Sequence, residues 1–463
     1  MRAPAFGTFW LRVVTAMVLT VGSASAVVAA APHAAAAPIP DDFYTPPAGF
    51  QNSAPGTILK SRPVALKAFE LFPVQVQSWQ LLYRTTASDG SPYAAVTTVM
   101  IPAGPAKPRP LLSYQMAYDS MARECMPSYS LREANPLDLF DPNKQAAWAI
   151  PPLEIAVAAA SLDKGWAVSV PDPGGIDDRF LTPRVMGYVT LDGIRATQNF
   201  APLGLPGTNT RTAMWGYSGG GIATSWASEL QPKYAPELKL AGAAIGAPVP
   251  DLAAALKRAN GRILAGLIPI GVAAIAKDSP QFYDRLEGFL TPEGRNTVRA
   301  AADQCLNKNV LFNMFKKVES FINVPVDQLL NDPVISKEIA ARTRPPATPT
   351  VPLYVYNGVN DEVSAIEGTD ATVAHYCSTG TSVTYVRDNF PDVVSDHTIV
   401  AITGAGGAFR WVEQVLGGTP PPVGCTTANP ASTLLDQANL TAIPDFAVTS
   451  IKLLFQQALG AGR

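Results

Sequence analysis

The chain has 463 residues, of which 47% are hydrophobic and 16% charged, with a formal net charge of −2. This composition excludes disorder as the main state, and the length leaves room for one large α/β domain with insertions or for a few smaller ones. No basic patch speaks for a nucleic-acid partner, and no obligate protein partner is inferred.

Arg2 and Arg12 precede an uncharged stretch that begins at Val13, and small-residue sites follow at Ala24-Ser25-Ala26 and Ala35-Ala36-Ala37. Residues 1–37, which include His33, read as a signal peptide cleaved after Ala26 or Ala37. Loss of the two arginines takes the net charge from −2 to −4. The competing reading, a membrane anchor over residues 13–31, is weakened by their Thr, Ser, Gly and Ala content. Export implies a secreted, extracellular or cell-wall-associated protein. Four cysteines, Cys125, Cys305, Cys377 and Cys425, contain no C-x-x-C pair, so no metal site is expected and two disulfides fit the oxidising compartment. Three connectivities are open at this point.

After a Pro-rich start, residues 78–101 alternate and are rich in Tyr, Thr and Val, with Ser88-Asp89-Gly90-Ser91 in the middle, which predicts a hairpin. Short apolar runs at 111–118, 166–170, 213–217, 240–245, 353–357 and 383–386 have the character of parallel strands buried on both faces. Helical patterns at 153–164 and 225–230 lie between them, so the prediction is a doubly wound, mostly parallel sheet after an antiparallel edge. The rhythm breaks between residues 245 and 353, where the pattern is mostly helical, and an inserted cap over 249–348 is the simplest account. The core is then 38–248 and 349–425, followed by a C-terminal extension, 426–463, with an amphipathic stretch at 446–459. Within the cap, residues 263–276 carry no polar side chain but are too short to cross a bilayer. They predict either a buried cap helix kinked at Pro269 or the wall of an acyl site, with Ile263, Leu264, Leu267, Ile268 and Ile270 as the contacts.

Trp215-Gly216-Tyr217-Ser218-Gly219-Gly220-Gly221 places a serine between glycines where an apolar strand gives way to a helical segment. A serine on such a turn needs small neighbours, here Gly216 and Gly220 beside Tyr217, to hold it exposed on a nucleophile elbow. The bland alternative is a Gly-rich turn whose serine caps the next helix. A serine nucleophile needs a base. Only His33, His375 and His397 exist; His375 falls in a helical stretch, 366–377, so His397, in the polar loop before a helical run at 399–416, is the expected base. The acid falls between nucleophile and base in chain order, and Asp361, after the strand ending at Asn357, meets that requirement; Glu362 and Asp396 are the competitors. Oxyanion donors are expected from the amides of Gly219 and of Asp119, the latter in the loop after the 111–118 run.

Beside the serine run the chain carries Ser113-Tyr114-Gln115-Met116-Ala117-Tyr118-Asp119-Ser120, Leu191-Asp192-Gly193-Ile194-Arg195-Ala196 and Tyr356-Asn357-Gly358-Val359-Asn360-Asp361-Glu362. With them the chain resembles the secretory lipase family, the lipase A type of α/β-hydrolase known from yeasts and actinobacteria, over residues 68–417. The resemblance implies a triad of Ser218, Asp361 and His397, an oxyanion hole from Asp119 and Gly219, a helical cap that binds acyl chains, and disulfides Cys125–Cys305 and Cys377–Cys425. It implies hydrolysis of triacylglycerols and other long-chain esters without cofactor or metal, on a lipid or acyl ester at an oil–water interface. One departure is the proline-rich Pro171-Asp172-Pro173-Gly174-Gly175, which bears on the pocket rim. The alternatives are an acyltransferase built on the same triad, or an inactive α/β-hydrolase that binds lipid.

Overall fold

The computed structural model describes residues 41–141, 143–343, 347–391 and 393–461; the predicted signal peptide, its cleavage sites and His33 lie outside them. Twelve strands are formed among the described residues: β1 (Ile58–Pro63), β2 (Lys67–Ala68), β3 (Phe72–Pro73), β4 (Gln77–Thr86), β5 (Pro92–Ile101), β6 (Leu111–Gln115), β7 (Ala167–Pro171), β8 (Thr212–Tyr217), β9 (Leu240–Gly246), β10 (Leu353–Gly358), β11 (Val383–Asp388) and β12 (Cys425–Ala428). Ten of them make one sheet in the order β1-β4-β5-β7-β6-β8-β9-β10-β11-β12, and β2 and β3 pair separately. The predicted hairpin is β4–β5, antiparallel from Gln77↔Ile101 to Thr86↔Pro92. From β7 to β12 every neighbouring pair is parallel.

Alternation within the buried runs decides what each strand offers to each face. Ala213, Trp215 and Tyr217 of β8 and Tyr354 and Tyr356 of β10 join a core beneath the helices Pro151–Asp163, Ala405–Leu416 and Gln437–Leu454. Met214 of β8 and Leu353 and Val355 of β10 join the opposite core, with the helices Pro183–Gln198, Gly219–Tyr234 and Ile366–Ser378. The chain runs from β6 to β7 on one side and returns to β8 on the other. The ends of β6 and β8 are thus adjacent, with Gln115 opposite Gly216, at the switch point where open sheets of this kind bind ligands.

Between β9 and β10 the described chain is helical: Leu252–Ala259, Leu267–Asp278, Pro280–Glu287, Pro292–Ala302, Leu306–Asn313, Val326–Leu330 and Pro333–Arg342. Three of these start on a capping side chain followed by proline. Ser279 caps Phe282, Thr291 caps Gly294, and Asp332 caps Val334 and Ile335, each directly before Pro280, Pro292 or Pro333.

The structure corrects several local expectations. Pro269 does not kink a helix. It is the third residue of Leu267–Asp278, where the amide it lacks would have no intrahelical partner, and residues 263–266 form a turn before that helix. The predicted helix at 399–416 is two helices, Asp396–Thr403 and Ala405–Leu416, broken at Gly404, where an added Cβ would press on the Tyr356 ring at 2.7 Å. The C-terminal helix begins at Gln437 rather than at 446, and its two charged side chains turn inward, Asp445 to Arg410 at 2.7 Å and Lys452 to Asp163 at 2.6 Å.

Both disulfides pair as the resemblance implied: Cys125–Cys305, with Cα atoms 5.4 Å apart, and Cys377–Cys425, 6.0 Å apart. The first ties the loop after β6 to the helical insertion; the second ties the Ile366–Ser378 helix to the edge strand β12. In the loop-entropy account the closures of 180 and 48 residues contribute about 5 and about 4 kcal/mol. Cys125 and Cys305 are fully buried, whereas Cys425 is exposed. Mild reductant should therefore open Cys377–Cys425 first, and differential alkylation with peptide mapping should find Cys125–Cys305 intact until the fold is lost.

Candidate active site

The turn at Ser218 is forced by glycine. β8 ends at Tyr217 and a helix starts at Gly219, leaving Ser218 at φ 53 and ψ −122, a conformation that costs about 1–3 kcal/mol for a residue with a Cβ. A Cβ on Gly216 would collide with the Gly220 carbonyl, one on Gly220 with the Gln115 carbonyl, and one on Gly221 with the Gly246 carbonyl. The backbone holds the strain with two bonds: Ser218 N donates to Gly246 O at 3.0 Å, and Ile222 N donates to Ser218 O at 2.8 Å. The side chain of Ser218 caps nothing, which sets aside the reading of this serine as a helix cap.

Ser218 Oγ lies 2.8 Å from His397 Nε2, and His397 Nδ1 lies 2.9 and 3.0 Å from the two oxygens of Asp361. With a carboxylate on Nδ1, that nitrogen carries the proton and Nε2 accepts from the serine hydroxyl. Contrary to the loop expectation, His397 is the second residue of the Asp396–Thr403 helix, which Ser395 caps through Thr398 N. Its backbone is gripped on both sides: Tyr217 Oη donates to His397 O at 2.7 Å, and His397 N donates to Glu362 Oε2 at 3.2 Å. Glu362 also accepts from Ser395 Oγ. The acid competitors thus separate by position. Asp361, fully buried and fixed by the amides of Val363 and Ser364 at 2.8 and 2.7 Å, meets the ring; Glu362 holds the main chain; Asp396 faces the β10 loop and accepts from Asn360 N at 3.0 Å. Burial opposes the charged form of His397, but the carboxylates of Asp361, Glu362 and Asp119 outweigh it, so its pKa lies above the usual 6.5. Burial, with the Asp361 charge next, pushes Asp396 up to about 7. His375 lies in the Ile366–Ser378 helix, its ring 6.2 Å from that of Tyr376.

Asp119 follows β6 with φ 36, and its carboxyl lies against Gly219, whose missing Cβ makes room for it. Burial raises this carboxyl to about 6 although the nearby His397 opposes the shift. Asp119, Ser218 and Gly219 line an apolar cavity whose space, part of it open to solvent, is about 880 Å³. Of the predicted acyl contacts, Leu267 and Ile268 line it, together with Gly271, Val272 and Ile275 on the same face of the helix. Ile270 turns to the other face and is fully buried in a cluster that joins the insertion to the α/β body, while Ile263 and Leu264 sit in the turn before the helix; none of the three lines the cavity. Phe180 and Leu181, which no motif marked, line it from the loop after β7. The proline-rich 171–175 stretch does not reach it. Asp172 there is buried, taking bonds from Ser128 N and Oγ at 2.8 and 2.5 Å.

The family model for secretory lipases matches residues 149–424. The chain is 37% identical over 385 residues to "Probable inactive lipase MT1628" of Mycobacterium tuberculosis, covering 83% of each. It is 35% identical over 438 residues to Lipase A of Arthroderma benhamiae, covering 93% of this chain and 91% of that one. Lipase A of Candida antarctica in its closed state superposes with a TM-score of 0.75 at 30% identity, over 89% of this chain and 95% of that one. With its α/β-hydrolase fold and these relatives, the chain belongs to the secretory lipase family.

Proposed function

We propose that this protein is a secreted serine carboxylesterase of the triacylglycerol lipase type, working through an acyl-enzyme formed on Ser218. The observation that carries the reading is the linked contact Ser218 Oγ to His397 Nε2 at 2.8 Å and His397 Nδ1 to Asp361 at 2.9 Å, with Ser218 lining an apolar cavity. His397 takes the hydroxyl proton as Oγ attacks the ester carbonyl, and Asp361 stabilises the imidazolium that forms. The amides of Gly219 and Asp119 receive the oxyanion. His397 then protonates the departing alcohol, and water repeats the sequence to release the acid. The acyl chain lies in the cavity, with residues 249–348 acting as its cap. Export through the 1–37 leader agrees with two disulfides and with relatives such as the secreted triacylglycerol lipase LIP4 of Malassezia globosa.

A second reading, an inactive lipid-binding protein, draws on the relative named as a probable inactive lipase. The contacts of Ser218, His397 and Asp361 weigh against it, because a binding protein has no use for a hydroxyl, an imidazole and a buried carboxylate in hydrogen-bond sequence. Fluorophosphonate labelling separates the two: the esterase is labelled and the binding protein is not.

Ser218→Ala should lower ester hydrolysis by about a million-fold and abolish labelling while the fold survives, and His397→Ala should do comparable damage where His375→Ala spares activity. Retention of a large part of the rate by either of the first two variants on p-nitrophenyl esters overturns the assignment.

His397 acts only when neutral, and its pKa is raised, so kcat/KM should fall as pH drops through a value above 6.5. Asp361→Asn removes the charge that favours the imidazolium, so it should move that limb to lower pH as well as cut the plateau. Asp119 titrates at about 6. Asp119→Asn removes the weakest of the charges that raise His397, so the limb should survive and move slightly to lower pH; its disappearance would assign the limb to Asp119 instead.

Burying each methylene contributes about 0.8 kcal/mol, so four more in the cavity contribute about 3 kcal/mol, on the order of a hundredfold in kcat/KM. Leu267→Asp should erase this preference, depressing rates on octanoate esters far more than on acetate esters. Equal loss on both, with a lowered Tm, would show that Leu267 serves only the insertion's packing.

A further inference from the structure

The loop from Met116 to Asp119 carries an amide that must point at the oxyanion, yet Asp119 sits at a left-handed φ of 36. Such a residue persists only where its surroundings over-determine it. On one side the loop is anchored to the elbow: Thr224 Oγ1 donates to Gln115 Oε1 at 2.8 Å, and the Gln115 carbonyl rests over Gly220. On the other side stands Glu154, in the first turn of the Pro151–Asp163 helix, which the proposed chemistry does not use. Its two carboxyl oxygens divide their work. Oε1 accepts from Tyr114 Oη at 2.8 Å, and Oε2 accepts from Ala117 N at 2.9 Å. Tyr114 in turn packs edge-on against Trp215 at 5.4 Å, next to the elbow. One side chain therefore joins the last turn of β6, the start of the oxyanion loop and the strand that leads to Ser218.

We propose that Glu154 is a positioning residue for ester hydrolysis: by fixing Tyr114 and the Ala117 amide it aims the Asp119 amide, two residues on, at the oxyanion. The proposal rests on the esterase reading above. Glu154 touches neither substrate nor the reacting serine. Burial raises the pKa of its carboxyl to about 8, although the bonds from Tyr114 and Ala117 N oppose the shift. An amide in its place can still serve, since a glutamine oxygen accepts from Ala117 N and its NH₂ donates to the Tyr114 oxygen.

The test compares wild type, Glu154→Ala and Glu154→Gln on p-nitrophenyl acetate and octanoate, with kcat and KM separated, together with Ki for an alkylboronic acid as a mimic of the tetrahedral state. Glu154→Ala should lower kcat about a hundredfold on both esters with KM changed by no more than about twofold, because a misaimed donor is felt only in the transition state. Its boronic acid Ki should rise alongside the loss in kcat. Glu154→Gln should recover kcat to within about fivefold of wild type. The proposal is overturned if Glu154→Ala keeps kcat within about twofold, or if Tm, KM and kcat all decline without rescue by glutamine. A wild-type protein that neither hydrolyses these esters nor takes up fluorophosphonate overturns the esterase reading, and this proposal with it. Wild-type behaviour of Glu154→Ala beside an inert Ser218→Ala overturns this proposal alone.

Discussion

Everything around Ser218 depends on how closely one strand, one helix and a neighbouring strand can approach when no Cβ stands between them. Gly216, Gly220 and Gly221 each face a backbone carbonyl, and the carbonyls belong to three different places: the helix itself, the end of β6 and the end of β9. Any side chain there would force these elements apart, because its Cβ would stand 1.9–2.3 Å from a carbonyl oxygen. The same approach that lets the elbow form also brings the loop after β6 against Gly219, so Ser218 and the amides proposed as oxyanion donors are set by one steric condition. The strain at Ser218 and the left-handed turn at Asp119 are its local consequences.

The base side is organised differently, by charge and hydrogen bonding. His397 is seated at a helix start, where Ser395 caps the helix and Glu362 takes both the Ser395 hydroxyl and the His397 amide. Asp361 is held by two amides of its own loop, so the carboxylate is preorganised before it meets the ring. Preorganised dipoles of this kind act without reorganisation at the moment of reaction. Tyr217, from the elbow strand, closes the circuit by binding the His397 carbonyl, which couples the position of His397 to that of Ser218.

The helical insertion supplies the apolar half of the cavity. Three of its helices start at Ser-Pro, Thr-Pro and Asp-Pro steps, and the Leu267–Asp278 helix turns one face to the cavity while Ile270, on another, joins a buried cluster shared with the α/β body. Cys125–Cys305 binds this body to the loop that follows Asp119, so the insertion that lines the cavity and the loop after β6 are covalently joined.

Much of this was readable from the chain. The strands that are buried on both faces announce themselves as unbroken apolar runs, and the β4–β5 hairpin by its alternation around Ser88-Asp89-Gly90-Ser91. The site was readable because histidine is rare here and because glycines around a serine record a steric need that is local. The edge strand β12 was not readable: its four residues are exposed and carry no pattern, and only pairing with β11 and the bond to Cys377 make it a strand. The break at Gly404 was hidden for a related reason, since it answers to the Tyr356 ring on a distant strand. Nor could spacing alone separate Asp361 from its neighbour Glu362 or from Asp396 beside the histidine, or tell which face of 263–276 meets the cavity. Periodicity and steric demand act between neighbours in sequence and are written there; the convergence of a carboxylate, an imidazole and a hydroxyl across 179 residues is a matter of distances that exist only once the sheet has brought its strand ends together.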